Sequence, residues 1–236
     1  MNIPILLFTI TPTILILSFF YFSDKFKEPK QTILTVFYLG FLICLPAGIL
    51  NDLSYNFTYD GSDFSERLAW SFLGPAWAEE LLKFSILYLI VLKREEFNEK
   101  MDGIVYGVVV SLGFATYENY TYIYQMAPLT AEANDWSIEQ YSYYVAKLRS
   151  YSAVPMHGLN GAVMGLFFSK YVFSGKKRFL ILSLLFPYLF HGFYNYLDWP
   201  YAMFVIGTLF IFVLVTHKMI EEEQMVKRKE GENKKI

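Results

Sequence analysis

A charged motif interrupts an apolar stretch in the first half of the chain: the sequence GPAWAEELLK at residues 74–83. The surrounding apolar run covers residues 68–92, and about 20 such residues are enough for a helix to cross the hydrocarbon core of a membrane. Glu79, Glu80 and Lys83 lie inside this run, although ionisable groups are costly within a bilayer. The stretch therefore predicts a spanning helix whose polar face is turned toward other helices and away from lipid.

The spacing within this motif allows ion pairing along the helix. Lys83 follows Glu79 by four residues and Glu80 by three, so either carboxylate can pair with it. A buried ion pair that holds helices together is the structural alternative to a functional role. Pro75 cannot donate a backbone hydrogen bond one turn before Glu79, so we expect the helix to open there.

Apolar runs of similar length recur along the whole chain. They cover residues 3–22, 32–50, 103–124, 152–173, 179–197 and 201–217. Hydrophobic residues make up 55% of the chain and aromatic residues 19%, which predicts an all-α fold, a polytopic transmembrane helix bundle with about seven spans. We expect one transmembrane domain over residues 1–220 with a motif-bearing core at 68–197. Residues 221–236 are expected to form a charged cytoplasmic tail, as a disordered segment or a frayed helix.

Lysine and arginine are distributed unevenly between alternate loops, and they favour the cytoplasmic side. One set of loops carries Lys25, Lys27, Lys30, Lys93, Arg94, Lys100, Lys176, Lys177 and Arg178, and the other set carries Arg67, Lys147 and Arg149. This asymmetry predicts an N-terminus outside and a C-terminus in the cytoplasm. No Lys or Arg precedes the first run, so we interpret that run as a retained span and not as a signal peptide.

The composition also limits the classes of partner and cofactor. The single cysteine, Cys44, excludes a disulfide framework and a cysteine-based metal site. No basic patch suggests nucleic acid, and the expected surroundings are a lipid bilayer. His217 falls at the cytoplasmic end of the last run, where an interfacial role is expected.

Two local patterns concern helix ends. Asp102 precedes Gly103 at the start of the fourth run, and we expect Asp102 to be the N-cap of that helix. Ser137 followed by Gln140 resembles a capping box, and apolar residues then recur at helical spacing at Ile138, Tyr141, Val145 and Leu148. These features predict either a short amphipathic helix on the outer surface or an ordinary polar loop.

Further polar residues lie within the fourth, fifth and sixth runs. The fourth run contains Glu118 and Asn119, the fifth contains His157 near its start, and His191 precedes Asn195 by four residues in the sixth. Glycines accompany them and allow close helix approach: Gly103, Gly107, Gly113, Gly161 and Gly165. The predicted topology puts Glu79, Glu118, His157 and His191 at compatible depths in the outer half of the membrane, which a shared water-accessible cavity would explain.

Five segments, in order along residues 70–197, resemble the PrsW family of intramembrane proteases, which is related to the CaaX prenyl-protease superfamily. They are EELLK at 79–83, DGIVYG at 102–107, GFATYEN at 113–119, His157 with Gly161 and Gly165, and HGFYN at 191–195. The resemblance implies hydrolysis of a peptide bond in or near the bacterial plasma membrane. The family is known for cleaving a single-pass anti-sigma factor from its outer side in a stress response, which implies a single-pass membrane protein as substrate.

Peptide hydrolysis requires an activated water, a stabiliser of the oxyanion and an acid for the leaving amine. The hypothesis is that Glu79 or Glu80 acts as general base while the other pairs with Lys83. His157 and His191 would position the water and stabilise the oxyanion, with Asn195 and Asn119 in supporting positions, and Glu118 would orient a histidine or share the proton.

A metal-dependent version of this chemistry is the competing hypothesis. His157 and His191 with Glu79, Glu80 or Glu118 form an acceptable zinc set, although no helix carries the His-Glu-x-x-His signature. The cofactor is therefore either none or a divalent metal such as zinc.

Two other classes of function remain open at this stage. Buried Glu, His and Lys also serve proton-coupled transporters, although inverted repeats, their usual sign, are not evident. A non-enzymatic membrane immunity factor with the same fold is the second alternative.

Overall fold

Helices account for all regular secondary structure in the described part of the chain. The computed structural model describes residues 2–58 and 63–233. The first helices are α1 Ile3–Ser23, α2 Lys30–Leu42, α3 Cys44–Thr58, α4 Asp63–Ser71 and α5 Trp77–Leu89. They are followed by α6 Lys100–Thr121, α7 Ala127–Ala133, α8 Ile138–Tyr151, α9 Ala153–Ser174, α10 Lys177–Tyr196 and α11 Tyr201–Asn233. The all-α prediction is confirmed.

Three stretches of the described chain are long and apolar enough to cross a membrane: Ile3–Ser23, Lys30–Ser54 and Tyr201–Val226. The helices that carry the sequence motifs are less apolar because glycines and polar groups line the faces that they bury. A helix surrounded by other helices does not need a lipid-compatible surface on every side. The count of seven spans and the orientation of the termini stay predictions.

The centre of the bundle is formed by α6 and α9. Residues 101–115 of α6 are buried without interruption, and two glycine contacts bring its backbone against that of α9. A Cβ atom on Gly107 would lie 2.2 Å from the Gly161 carbonyl oxygen, and one on Gly165 would lie 1.8 Å from that of Gly103. Only glycine permits this approach, and α6 and α9 consequently form a rigid support for side chains at their ends.

Large apolar side chains are exposed on the outer helices. Leu15 of α1 and Phe204 and Ile211 of α11 are examples. Exposed apolar surface of this extent is typical of a protein whose solvent is lipid. The bundle therefore has a polar interior between α5, α6, α9 and α10 and an apolar exterior.

Prolines explain two interruptions of the predicted spans. Pro46 has no N–H to donate to the Leu42 carbonyl, so α2 ends at that residue and the second run continues as α3. Gly74 and Pro75 lie in the π-helical turn Phe72–Ala76 between α4 and α5, where Gly74 has φ −88° and ψ −114°. The expectation that Pro75 opens the helix before Glu79 is confirmed.

Helix ends differ from expectation in two places. The N-cap of α6 is Glu99, and Asp102 occupies the third helical position, from which its carboxylate accepts the backbone N–H groups of Asn98 and Glu99 at 2.7 Å. The prediction that Asp102 is the N-cap is therefore wrong by three residues, because a capping box extends the helix by one turn. At the C-terminus, α11 continues as a helix to Asn233.

The region around α8 is a helix and not a polar loop. Ser137 is its N-cap, as predicted, and its hydroxyl accepts the Gln140 N–H at 3.5 Å. The buried face is centred on Ser142 and Ala146, whereas Ile138 is exposed. Small residues face inward because α8 packs closely against α1 and α9.

Candidate active site

The π-helical turn before α5 directs two adjacent acidic residues into the bundle. Glu79 and Glu80 lie in the first turn of α5 and are 3% and 0% exposed. The N-terminus of a helix favours negative charge because its free N–H groups carry a partial positive charge. The turn at Gly74 and Pro75 therefore creates a helix start inside the apolar run and stabilises carboxylates there.

Glu80 is held by two partners in the interior of the bundle. Its Oε1 atom accepts hydrogen bonds from Lys83 Nζ at 2.9 Å and from His191 Nδ1 at 2.8 Å. Because Nδ1 of His191 donates to Glu80, Nε2 of the same ring carries the lone pair. Glu80 thus fixes both the orientation and the tautomer of His191.

His157 is fixed in the same way by residues of other helices. Lys83 Nζ lies 3.0 Å from His157 Nδ1, and an ammonium group can only donate there. His157 Nε2 then carries the proton and donates to Glu118 Oε2 at 2.9 Å. Because Lys83 donates to both Glu80 and His157, it links the two histidine networks in the centre of the site. Its ammonium group also lies over the Phe114 ring, 4.3 Å from the ring centroid.

Arg149 of α8 completes the network on the side of Glu118. Its guanidinium donates to Glu118 Oε2 at 2.5 Å and to Asn119 Oδ1 at 2.7 Å. Asn119 in turn donates to the Thr9 carbonyl of α1. These contacts neutralise Glu118 and connect the end of α6 to α1 and α8.

One oxygen of Glu79 has no hydrogen-bond partner among the described residues, although that oxygen is buried. This atom, Oε2, lies 3.6 Å from Lys83 Nζ and 4.0 Å from His191 Nε2, which is too far for a hydrogen bond. Its other oxygen accepts from Asn51 at 3.5 Å. A distance of 4.0 Å lets one water oxygen or one metal ion contact both Glu79 and His191.

A cavity of about 540 Å³ opens onto this group. Both histidines, Glu79, Glu118 and Asn195 contribute to its wall. Oε2 of Glu80 is also unpaired, but Glu80 is not among the described residues that line the cavity. Of the two adjacent glutamates, Glu79 therefore faces the space that a substrate could enter.

Three of these residues have the composition of a metal site. Glu79, His157 and His191 are buried, and one ligand atom from each lies within 4.8 Å of the others. The free Glu79 Oε2 and the lone pair on His191 Nε2 fit a divalent metal such as those bound by carboxylate and imidazole. Both ring nitrogens of His157 are hydrogen-bonded, so a metal at His157 would replace one of these bonds.

The candidate catalytic and supporting residues predicted from the sequence lie at or beside this site. Glu79, Glu118, His157, His191 and Asn195 surround the cavity, and Glu80, Lys83 and Asn119 hold them from behind. His217 lies elsewhere, where its Nε2 is 2.8 Å from the Ser23 hydroxyl.

Two residues that hydrogen-bond to the glutamates of the site, Asn51 to Glu79 and Arg149 to Glu118, were not predicted from the sequence. In the sequence, Arg149 indicates only the side of the membrane on which its loop lies, and no pattern identifies Asn51. The spacing of Ser142, Ala146 and Arg149 at four and three residues places them on one face of a helix, and this pattern could have identified Arg149. No comparable pattern surrounds Asn51.

An apolar helix bundle that encloses carboxylates and histidines around an internal cavity is an architecture that intramembrane enzymes share with proton-coupled transporters. A family model described as PrsW family intramembrane metalloprotease matches residues 28–217, and the chain belongs to this family. The chain is therefore an integral membrane protein of the bacterial plasma membrane, and its family supports peptidase activity.

Several curated relatives carry the name Protease PrsW. The chain is 34% identical to the one from Geobacillus kaustophilus over 202 residues, which cover 82% of this chain and 81% of that protein. It is also 34% identical to the one from Bacillus subtilis, over 82% of this chain and 84% of that protein. The relative from Clostridioides difficile is 28% identical over 93% of this chain and 89% of that protein. No solved structure matches the chain significantly.

Proposed function

We propose that this protein hydrolyses a peptide bond of a single-pass membrane protein near the outer leaflet, at the cavity between α5, α6, α9 and α10. The observation that carries the proposal is the unpaired, buried Oε2 of Glu79, which lies 4.0 Å from His191 Nε2 on a residue that lines the cavity. A buried carboxylate oxygen without a partner is costly. It is therefore expected where a protein must bind and activate a water.

The surrounding residues have separate roles in this proposal. Glu79 takes the proton of the attacking water and passes it to the leaving amine. Asn195, which lines the cavity, stabilises the oxyanion of the tetrahedral intermediate through its side-chain amide. The lone pair on His191 Nε2 accepts a hydrogen bond from the attacking water. His157 borders the same space, and because both of its ring nitrogens are hydrogen-bonded, it acts through Lys83 and Glu118. Glu80, Lys83, Glu118 and Arg149 are positioning residues because their contacts fix the two histidines.

A divalent metal, with zinc favoured by the donor set, would be held by Glu79, His157 and His191. When bound, such a metal lowers the pKa of a coordinated water and polarises the substrate carbonyl. Glu80 would then keep His191 Nε2 directed toward the metal through its hydrogen bond to Nδ1 of the same ring. Such an outer hydrogen bond is typical of histidines that bind metals.

The orientation of the site follows from the uneven distribution of Lys and Arg. If the N-terminus is outside, the cavity lies at the outer ends of α6 and α9, since Glu118 is near the end of α6 and His157 near the start of α9. Cleavage would then occur at the outer side of a substrate helix. An anti-sigma factor of a stress response is the substrate that we infer, by analogy with the family.

The test compares peptide termini in membranes from cells that express the wild type, Glu79→Gln or Glu95→Gln. Glu95 is exposed, so the last variant is matched in charge change. We expect new termini at the outer side of single-pass proteins with the wild type and Glu95→Gln but not with Glu79→Gln. The same new termini in all three samples would refute the role of Glu79 as the base. Cuts at the cytoplasmic side would refute the proposed orientation. An absence of new termini in every sample, with a known stress signal applied, would favour a non-enzymatic immunity factor.

Metal analysis of the same purified proteins separates two ways in which Glu79 can act. If Glu79 is a ligand, Glu79→Gln loses the metal together with the activity. If Glu79 is only the base, the variant keeps the metal of the wild type and loses activity alone.

A further inference from the structure

A second cluster of buried carboxylates lies at the opposite end of α6 from the candidate active site. It contains Asp24, directly after α1, Glu28, in the loop before α2, and Asp102, in the first turn of α6. Asp102 and Glu118 are about 16 residues apart on one helix, which corresponds to roughly 24 Å. The two clusters are therefore separate sites.

The three carboxylates converge closely and are shielded from solvent. Asp24, Glu28 and Asp102 are 1%, 4% and 0% exposed, and one oxygen from each lies within 4.8 Å of the others. Like charges at this distance repel each other strongly when water is excluded. A cluster of this kind needs protons or a cation to balance it.

Each carboxylate is oriented by hydrogen bonds from its neighbours. Asp24 Oδ1 accepts the Phe26 N–H at 3.0 Å and the Gln224 amide of α11 at 2.9 Å. Asp102 Oδ2 accepts two backbone N–H groups in the capping box. The Tyr106 hydroxyl donates to Glu28 Oε2.

Two oxygens in this cluster receive no hydrogen bond from a donor group of the described residues, although Asp102 lies against the Glu28 side chain. Asp24 Oδ2 and Asp102 Oδ1 are buried and accept no hydrogen bond from any described residue. Each belongs to a carboxylate whose other oxygen is well satisfied. An oriented, buried and unpaired carboxylate oxygen is the arrangement that a cation ligand requires.

No lysine or arginine within residues 2–58 and 63–226 forms an ion pair with these three carboxylates. The nearest lysines in sequence are engaged elsewhere. Lys25 pairs with Glu221 at 2.7 Å, Lys100 pairs with Glu223 at 2.7 Å, and Lys27 donates to the backbone carbonyls of Phe22 and Asp24. The buried negative charge is thus not balanced by a side chain of this region.

We propose that Asp24, Glu28 and Asp102 bind a hard divalent cation of the Mg²⁺ or Mn²⁺ type. The ligands are oxygens only, with no cysteine or histidine in the cluster, and such ligands select hard cations over zinc. The bound cation joins the end of α1 to the start of α6. Gln224, which donates to both Asp24 and Glu99, extends this connection to α11.

The experiment is a titration of the purified full chain in detergent with Mn²⁺, followed by electron paramagnetic resonance. One equivalent of zinc is added first to fill the Glu79, His157 and His191 site, and no excess is used because zinc would compete with Mn²⁺ at the second cluster. We expect one bound Mn²⁺ that Mg²⁺ displaces. Asp24→Asn and Glu28→Gln should each weaken the binding by roughly 10- to 100-fold or more, since even the loss of an outer hydrogen-bond partner has that effect at metal sites.

Glu95→Gln provides the control, because it removes one exposed acidic group near the same end of the bundle and should leave Mn²⁺ affinity unchanged. Glu28→Gln keeps an oxygen that can accept from Tyr106, so it remains informative if Asp24→Asn fails to fold. An increase in melting temperature with Mn²⁺ is expected for the wild type and not for Glu28→Gln. Absence of a bound Mn²⁺ in the wild type, or binding that Glu28→Gln and Asp24→Asn leave unchanged, would overturn the proposal and indicate a cluster neutralised by protons.

Discussion

At the scale of single residues, the ionisable groups inside apolar runs were the most informative part of the sequence. The cost of burying charge in a membrane made Glu79, Glu80, Lys83 and His191 conspicuous, and all of them lie at one site. Which glutamate faces the cavity could not be predicted. Neighbouring helix positions point about 100° apart, and the rotation of α5 is set by its packing against other helices.

The burial of Arg149 beside Glu118 could not be predicted for a related reason. An arginine in a loop between spans is ordinary, and its burial depends on how α8 docks against the bundle. That docking is a tertiary contact which local sequence does not specify. The inward face of α8 consists of small residues, Ser142 and Ala146, whose burial a hydrophobic pattern does not reveal.

Arg149→Met tests the role of this buried cation. The substitution leaves the Glu118 carboxylate without its closest partner, and breaking one side of a buried ion pair costs about 3–5 kcal/mol. We expect a clear loss of stability in detergent, measured by thermal unfolding, together with loss of cleavage. Lys147→Met on the exposed side of α8 is the matched control and should behave like the wild type. Similar stability of the two variants would show that Arg149 does not hold Glu118.

At the scale of helices, the glycine spacing predicted close packing correctly. Gly107 and Gly161 meet backbone to backbone, as do Gly103 and Gly165. The interruption at Pro46 and the extra turn before Asp102 were not predicted. Both depend on competition between alternative local hydrogen bonds, which shifts helix ends by several residues without changing the hydrophobic pattern.

Gly165→Ala tests whether the approach of α6 and α9 supports the site. The added Cβ would lie 1.8 Å from the Gly103 carbonyl oxygen, so the two backbones must separate. We expect a lower melting temperature and reduced cleavage, because α9 carries His157. Gly207→Ala on α11 is the control, since its Cβ would contact nothing within 4 Å, and alanine is favoured over glycine in helices by about 1 kcal/mol. A Gly165→Ala protein as stable as the Gly207→Ala protein would contradict the packing described above.

At the scale of the whole molecule, the sequence predicted a helical membrane bundle because the apolar runs have spanning length. The count of seven spans stays a prediction. Three stretches of the described chain have the length and composition of independent spans, whereas α6 and α9 are buried among other helices. The helices α5 and α10 combine a polar inner face with exposed apolar residues such as Leu89 and Ile181.

The central claim is that this chain itself cuts a membrane protein with Glu79 at the cavity. The most direct measurement is cleavage in proteoliposomes that contain only the purified protein and a single-pass substrate identified from its new terminus in cells. The account predicts cleavage at the outer side of the substrate by the wild type. A rate reduced by about 100- to 10,000-fold is expected for Glu79→Gln, which is the usual contribution of a general base. Cleavage by Glu79→Gln at the rate of the wild type would contradict the account.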